Sequence, residues 1–225
     1  IQFHQSYSYE DFIQGYRPDG DGGFVLQDGI FYELCKEAET SPNSKYVLII
    51  DEINRGNLSK IFGELLMLIE ADKRGGNYKL SLTYSPGDEF YVPENLYLIG
   101  TMNTADRSIA MVDYALRRRF SFITLNAQFN EKFKDHLISS GFDSALCDGI
   151  NDRMNNLNER IRSDSNLGVG YQIGHSFFCP DNNEPYDIQW YNKKIKYEIE
   201  PLLNEYWFDQ FEDFEELLNE IKIED

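Results

Sequence analysis

Basic residues, cysteines and long apolar runs are all scarce in this chain. Its 225 residues include 21 lysines and arginines against 39 aspartates and glutamates, which gives a formal net charge of -18 at pH 7. A chain this acidic is not a general nucleic-acid-coating protein, because phosphate binding depends on lysine and arginine. No apolar run is long enough to span a membrane, and we expect no signal peptide. We therefore expect no membrane partner.

The few cysteines narrow the class of protein further. Cys35, Cys147 and Cys179 are widely spaced and form no CxxC pair. An odd number of separated cysteines does not support a disulfide framework and suits reduced thiols, so we expect a cytoplasmic protein. The chain is 41% hydrophobic and 15% aromatic, which is enough for a real core and argues against disorder.

Apolar patterning predicts an α/β part, over residues 1–126, followed by an all-helical part, over residues 127–225. Continuous apolar runs predict three strands that are covered on both faces, as in a parallel sheet with crossover helices. The predicted elements of the first part are strands over 46–50, 95–103 and 120–125, helices over 29–39 and 57–71, and a hairpin over 78–93 that turns at Pro86 and Gly87. After residue 126, four segments have amphipathic helical spacing.

Polar residues lie at the ends of two of these strands. Asp51 and Glu52 come directly after the first, and Thr101 and Asn103 lie at the end of the second. Ligands of open parallel sheets gather at the carboxyl ends of the strands. A lone Asp-Glu pair can simply solvate a loop, but an apolar strand that ends in this pair is the Walker B arrangement of P-loop NTPases. There the first acid helps to hold Mg²⁺ and the second polarises the attacking water.

Three consecutive arginines form a short basic segment in this acidic chain: Arg117, Arg118 and Arg119. They can be a solvated basic turn, but arginine also suits bidentate contact with phosphate oxygens and stabilises transferring charge. Asn103 can likewise be a turn residue or can reach the γ-phosphate and the water, which is the sensor 1 role. The order of strand with acids, strand with asparagine and arginine trio favours the nucleotide-binding interpretation.

The sequences of these motifs and their order resemble an AAA+ P-loop NTPase core followed by a helical lid. More narrowly, they resemble the McrB family, the GTP-using motor subunits of restriction systems that act on 5-methylcytosine. The resemblance rests on six blocks: "FHQSYSYEDFIQGYRP" (3–18), "IIDEINRGNLSKIFGELLMLIE" (49–70), "FYVPENLYLIGTMNTADRS" (90–108), "DYALRRRFSF" (113–122), "IGHSFF" (173–178) and "PLLNEYWF" (201–208).

The resemblance implies roles for individual residues. Asp51 resembles the metal-side acid that contacts Mg²⁺ and nucleotide, Glu52 the catalytic glutamate and Asn103 sensor 1. Asp106, in the family's "MNTAD" signature, is expected to organise the nucleotide site, by pairing with an arginine of the trio, more than to recognise guanine. Arg118, and after it Arg119, resembles the finger that reaches the nucleotide of a neighbouring subunit. Asn54 and Arg55 are expected near the subunit boundary.

Two departures from the family pattern matter. The Walker A loop, GxxxxGK[ST], is absent, and the chain has no initiator Met. Because the amides and lysine of that loop cradle the phosphates, we expect the loop upstream in the natural protein and little nucleotide binding by this chain alone. The second departure is that no sensor 2 arginine occurs in "GYQIGHSFF". His175 or Gln172 can take that nucleotide-binding place, or His175 can be a structural helix cap.

The resemblance also implies partners. It predicts a hexameric ring, a McrC-type nuclease subunit and DNA recognition through a separate N-terminal domain, with GTP or ATP and Mg²⁺ as ligands. Two alternatives remain open at this point. One is a dynein-related, MoxR-like ATPase that remodels proteins, and the other is a nucleotide-free scaffold.

Overall fold

The computed structural model describes residues 1–103, 117–180, 185–208 and 214–223. Contacts within the chain divide it into two compact units, residues 1–122 and residues 123–225, which we call unit 1 and unit 2. The sequence pattern had placed this change of character near residue 126. Within the described ranges, no helix is both long enough and apolar enough to cross a membrane.

Unit 1 is a mixed α/β unit. Its described elements are α1 (Tyr9–Phe12), β1 (Gln14–Pro18), β2 (Phe24–Asp28), α2 (Ile30–Thr40), β3 (Tyr46–Ile50), α3 (Leu58–Phe62), β4 (Leu80–Leu82), β5 (Ser85–Phe90) and β6 (Leu96–Gly100). β1 and β2 form an antiparallel hairpin that the sequence analysis did not predict, around the glycine- and aspartate-rich loop of residues 19–23.

β3 and β6 form the predicted parallel pair, in which Tyr46 lies opposite Leu96 and Ile50 opposite Gly100. The first residues of the chain extend this sheet on the other side of β3. The N–H of Asp51 donates to the carbonyl of Ile1 (2.9 Å), and the N–H of Phe3 donates to the carbonyl of Asp51 (2.9 Å). β3 is therefore a central strand, and its carboxyl end is held from both sides.

The two faces of the β3–β6 pair differ. Leu48, Ile50 and Leu96 on one face are buried in the core of unit 1. The residues of the opposite face are about half exposed: Val47, Ile49, Tyr97 and Ile99. The prediction that both faces are covered is therefore wrong for the part of unit 1 that the structure describes.

The predicted third strand is absent. Residues 121–125 have no regular secondary structure, and Ile123 and Leu125 are 86% and 92% exposed. An apolar run forms a strand only when a neighbouring strand pairs with its backbone N–H and carbonyl groups. Among the described residues no strand is placed to do so, and the run forms no strand.

The predicted helix over 57–71 is broken. α3 begins after Asn57, whose side chain accepts the N–H of Lys60 (3.0 Å) and so caps the helix. The α-helix ends before Gly63, where φ is +51°. A 3-10 helix follows over Gly63–Leu66. A Cβ at Gly63 would lie 2.9 Å from the Tyr9 ring. Close packing of α1 therefore interrupts the helix despite its apolar periodicity.

The predicted β4–β5 hairpin is present, but it turns at Thr83 and Tyr84 and not at Pro86 and Gly87. Contacts with the rest of unit 1 fix this position. Glu64 accepts the N–H of Thr83 (2.9 Å), and the Tyr84 hydroxyl donates to Glu10 (2.7 Å).

Unit 2 is helical, as its four amphipathic segments predict. Its helices are α4 (Glu131–Ser139), α5 (Ser144–Ser163), α6 (Ile188–Lys194), α7 (Glu200–Tyr206) and α8 (Phe214–Ile221). A π-helical segment, Ile195–Ile199, joins α6 to α7. Pro201 stands in the first turn of α7 and has no N–H to donate, which interrupts the regular helical hydrogen bonding there. The core of this unit is separate from the core of unit 1.

Candidate active site

The carboxyl ends of β3 and β6 bring together the segments that carry the predicted acids and Asn103. Because the strands are parallel and in register, the residues that follow Ile50 and Gly100 emerge at the same edge of the sheet. The hydroxyl of Thr101 donates to the carboxylate of Asp51, and the N–H of Ile53 donates to the carbonyl of Thr101 (2.9 Å). The two strand ends thus form one polar cluster.

Glu52 has an unusual backbone conformation. Its φ and ψ are 54° and 41°, and it is the one non-glycine residue with positive φ in the described part of the chain. Such a conformation is unfavourable for a residue with a Cβ and is concentrated at functional sites. The carboxylate of Glu52 accepts the Nε–H of Arg55 (2.9 Å), so the acid is held by a charged hydrogen bond.

Asn103 is part of the same cluster. The side-chain amide of Asn54 donates to the backbone carbonyl of Asn103 (3.3 Å). The side-chain oxygen of Asn54 is buried and accepts no hydrogen bond within the described residues. A buried acceptor of this kind is ordinarily satisfied by water or a ligand. Asn54 and Arg55, which were expected near a subunit boundary, therefore contact Asn103 and Glu52 within this chain.

The arginines of the trio occupy different environments. The side chain of Arg118 is 66% exposed, and its guanidinium is 3.9 Å from the Glu70 carboxylate. The side chain of Arg119 is 8% exposed and lies 2.8 Å from the same carboxylate. Of the two candidates for a finger, Arg118 has the freedom to reach a ligand outside the chain, whereas Arg119 is held by Glu70.

His175 lies in unit 2, at the start of a 3-10 helix over His175–Phe178. Its Nδ1 accepts the backbone N–H of Gln128 (3.2 Å), and its ring packs edge-on against Phe133. Gln172 donates to the carbonyl of Asn158 (3.3 Å). Both side chains thus have structural contacts, while Asp106 lies outside the described residues.

The donor set fits a hard cation that brings most of its own ligands. No group of three or more histidine, cysteine or acidic side chains that could enclose a metal ion occurs among the described residues. A single exposed carboxylate, that of Asp51, is instead the donor expected for Mg²⁺ that takes its remaining ligands from water and phosphate. The residues present therefore fit Mg²⁺ that arrives with a nucleotide.

Thr101 and Glu70 had no predicted role. Thr101 was noted only as a polar residue after a strand, although its hydroxyl contacts the residues on the neighbouring strand. Glu70 was not noted, because nothing in a chain with 39 acids marks the one that faces the arginine trio.

Two family models match this chain. Residues 1–120 match the AAA domain of the dynein-related subfamily, and residues 149–215 match the α-helical lid domain of McrB. The chain is 55% identical over 216 residues to the Type IV methyl-directed restriction enzyme EcoKMcrB subunit of Escherichia coli strain K12, a match that covers 93% of this chain and 47% of the relative.

A second relative is more distant. The chain is 29% identical over 142 residues to the Type II restriction enzyme BsuMI component YdiS of Bacillus subtilis strain 168. That match covers 58% of this chain and 40% of the relative. The chain thus spans less than half the length of both curated relatives.

Proposed function

Because this chain belongs to the McrB family and carries an AAA domain of the dynein-related subfamily, we propose that it is the nucleotide-hydrolysing motor region of a DNA restriction complex. One observation carries this proposal. The segments that carry Asp51, Glu52 and Asn103 meet at the carboxyl ends of two parallel strands, where a triphosphate can reach all three residues.

Each residue of the cluster has a distinct task in the proposed reaction. Asp51 is the carboxylate that would hold the water shell of Mg²⁺, which when bound neutralises charge on the phosphates. Glu52 orients the attacking water and accepts its proton, and the Asn103 amide positions that water against the γ-phosphate. Arg118 reaches the nucleotide of a neighbouring protomer and stabilises the charge that develops as the phosphoryl group transfers.

The proposed nucleotide is GTP, in keeping with the resemblance to McrB-family motors. The match of residues 1–120 to the dynein-related AAA subfamily supports one second candidate, an ATPase that remodels proteins. The two candidates differ in nucleotide preference. Competition between GTP and ATP for turnover discriminates them, because a restriction motor of the McrB type should prefer GTP.

The proposed partners follow from the family. We place the chain in a hexameric ring in the cytoplasm, with a McrC-type nuclease subunit that cuts and a separate N-terminal domain that recognises DNA. Hydrolysis in the ring would drive DNA translocation and activate the nuclease. The acidic charge of -18 supports the assignment of DNA recognition to another region.

The phosphate-binding loop is proposed to come from outside these residues. The sequence contains no GxxxxGK[ST] motif, and without backbone amides around the phosphates the cluster binds only one end of a nucleotide. We therefore expect the 225-residue chain to hydrolyse neither GTP nor ATP by itself.

The substitution Glu52→Gln tests the proposed function. In the full-length protein that carries the loop, it should lower turnover at least about a hundredfold, because the amide cannot accept the proton from water. The affinity for a fluorescent GTP analogue should stay within about twofold, because the shape of the side chain is kept. Steady-state hydrolysis and fluorescence titration measure the two quantities.

Glu37→Gln is the matched control, since Glu37 is an exposed acid on α2. It removes the same charge from unit 1 and should leave turnover unchanged. Hydrolysis at the wild-type rate by the Glu52→Gln protein would show that Glu52 is not the catalytic base.

A further inference from the structure

We propose that Thr101 is a positioning residue that sets both acids of the site in their working geometry. This inference rests on the proposed function and adds to it a residue that does not touch the nucleotide. Thr101 follows the last residue of β6 and faces the residues that follow β3. It therefore acts through its neighbours across the sheet.

The hydroxyl of Thr101 uses both of its hydrogen-bonding capacities on the two acids. It donates its proton to Oδ1 of Asp51, and it accepts the backbone N–H of Glu52 (3.4 Å). A hydroxyl has one proton to donate and lone pairs to accept, so one side chain satisfies both neighbours at once. A hydrogen bond to a carboxylate is also stronger than one between neutral groups.

The backbone of Thr101 reinforces this contact. Its N–H donates to the carbonyl of Ile50 (3.0 Å), and its carbonyl accepts the N–H of Ile53 (2.9 Å). Thr101 thus contacts the chain on both sides of the Asp51–Glu52 pair. The positive φ of Glu52 needs such support, because a residue with a Cβ leaves this conformation unless its surroundings hold it.

Several features separate this role from ordinary strand packing. Thr101 is exposed, so its side chain contributes little to the core. A valine has the same branched shape and an equal preference for extended backbone, so only the hydroxyl distinguishes the two residues here. If the hydroxyl acts on the acids, its loss should impair catalysis more than stability.

The test compares Thr101→Val, Thr101→Ser and Thr101→Ala with the wild type in the full-length protein that carries the phosphate loop. Thr101→Val should lower kcat about ten- to a hundredfold, in proportion to one lost charged hydrogen bond. It should raise the Mg²⁺ concentration needed for half-maximal turnover several-fold, because Asp51 is no longer oriented. Thr101→Ser keeps the hydroxyl and should stay within about threefold of the wild type in both quantities.

A binding measurement gives a readout that does not depend on turnover. Mg²⁺ should tighten the binding of a fluorescent GTP analogue less in Thr101→Val than in the wild type, while the Kd measured without Mg²⁺ stays unchanged. Thr40→Val is the matched control, because the Thr40 hydroxyl donates only to the backbone carbonyl of Glu37 (2.7 Å) at the end of α2. It should behave as the wild type does in all of these assays.

The outcomes separate this inference from the proposed function. Wild-type kcat and Mg²⁺ dependence in Thr101→Val, alongside an inactive Glu52→Gln, would overturn the role of Thr101 and leave the proposed function standing. A folded Thr101→Ser as impaired as Thr101→Val would also overturn it. Wild-type turnover by the Glu52→Gln protein, or a wild-type protein that hydrolyses no nucleotide, would contradict both the proposed function and the role of Thr101. Thermal unfolding checks that each variant folds, and Thr101→Ala takes the place of Thr101→Val if valine is not accommodated.

Discussion

Two asparagines of unit 2 and the polar side chains at the sheet edge of unit 1 are arranged in opposite ways. In unit 2, Asn158 is buried at 4% exposure and makes two hydrogen bonds with the backbone of one residue, Ile173 (2.9 and 2.6 Å). Asn192 does the same with Ile223 (2.8 and 3.1 Å). These amides replace missing backbone partners within the fold.

At the sheet edge of unit 1, the polar groups instead bond to one another and face solvent. Asp51 and Asn103 are exposed, and Glu52 is only half-buried in spite of its unfavourable backbone. Side chains that stabilise a fold are buried and satisfied by the backbone, whereas side chains kept near water in a costly geometry point to chemistry. The comparison supports the proposal that unit 1 carries the reacting groups, and substitutions in the two units should differ in kind.

The largest effect is expected at Arg118. Arg118→Ala in the full-length protein should lower turnover about a thousandfold, because an arginine finger stabilises charge that appears only in the transition state. Stability should not change, since the Arg118 side chain is 66% exposed. Arg117→Ala removes the same charge from the neighbouring exposed residue and should leave turnover intact.

Mixed assembly shows whether the finger acts between protomers. Arg118→Ala protomers have an intact site and no finger, whereas Glu52→Gln protomers have a finger and no base. Rings assembled from both should recover part of the turnover that each variant lacks alone. Mixed rings as inactive as the two parents would show that Arg118 does not act in trans, and loss of activity in Arg117→Ala alone would move the finger to Arg117.

The next largest effect is expected in unit 2, on stability alone. Asn158→Ala should lower the free energy of unfolding by about 2–4 kcal/mol, because the N–H and carbonyl of Ile173 lose their buried partner. Urea unfolding followed by tryptophan fluorescence reports this unit, since both tryptophans, Trp190 and Trp207, belong to it. Asn156→Ala, at an exposed site on the same helix, is the control and should change little.

The smallest effect is expected at the cap of α3. Asn57→Ala should lower the stability of unit 1 by about 1 kcal/mol, because the N–H of Lys60 loses its acceptor. Hydrogen exchange of the amides in residues 58–66 should become faster, while turnover stays unchanged at saturating nucleotide. A loss of turnover comparable to that of Glu52→Gln would mean that α3 shapes the site. Residues of unit 1 away from the sheet edge would then also contribute to catalysis.

Local patterns predicted much of this architecture. The apolar run before Asp51 identified the central strand, and helical spacing identified the helices of unit 2, because burial imposes the same periodicity wherever these elements occur. That the residues after β3 and after β6 lie at one edge of the sheet followed from parallel strands alone. These are features that each segment encodes by itself.

The features that depended on distant partners were not predictable. Residues 120–125 have a strand pattern without a strand, and Gly63 breaks α3 because the Tyr9 ring lies against it. The difference between Arg118 and Arg119 arises from Glu70, which no motif marks. The positive φ of Glu52 and its contact with Thr101 likewise depend on the neighbouring strand end.

Whether Asp51, Glu52 and Asn103 serve one nucleotide is tested most directly by a structure of the full-length protein with Mg²⁺ and a slowly hydrolysed GTP analogue. We expect the γ-phosphate at the ends of β3 and β6, with Asn103 and Glu52 around the attacking water and Arg118 of an adjacent protomer at the phosphate. A nucleotide that is bound without contact to these three residues would contradict the assignment of this cluster as the active site.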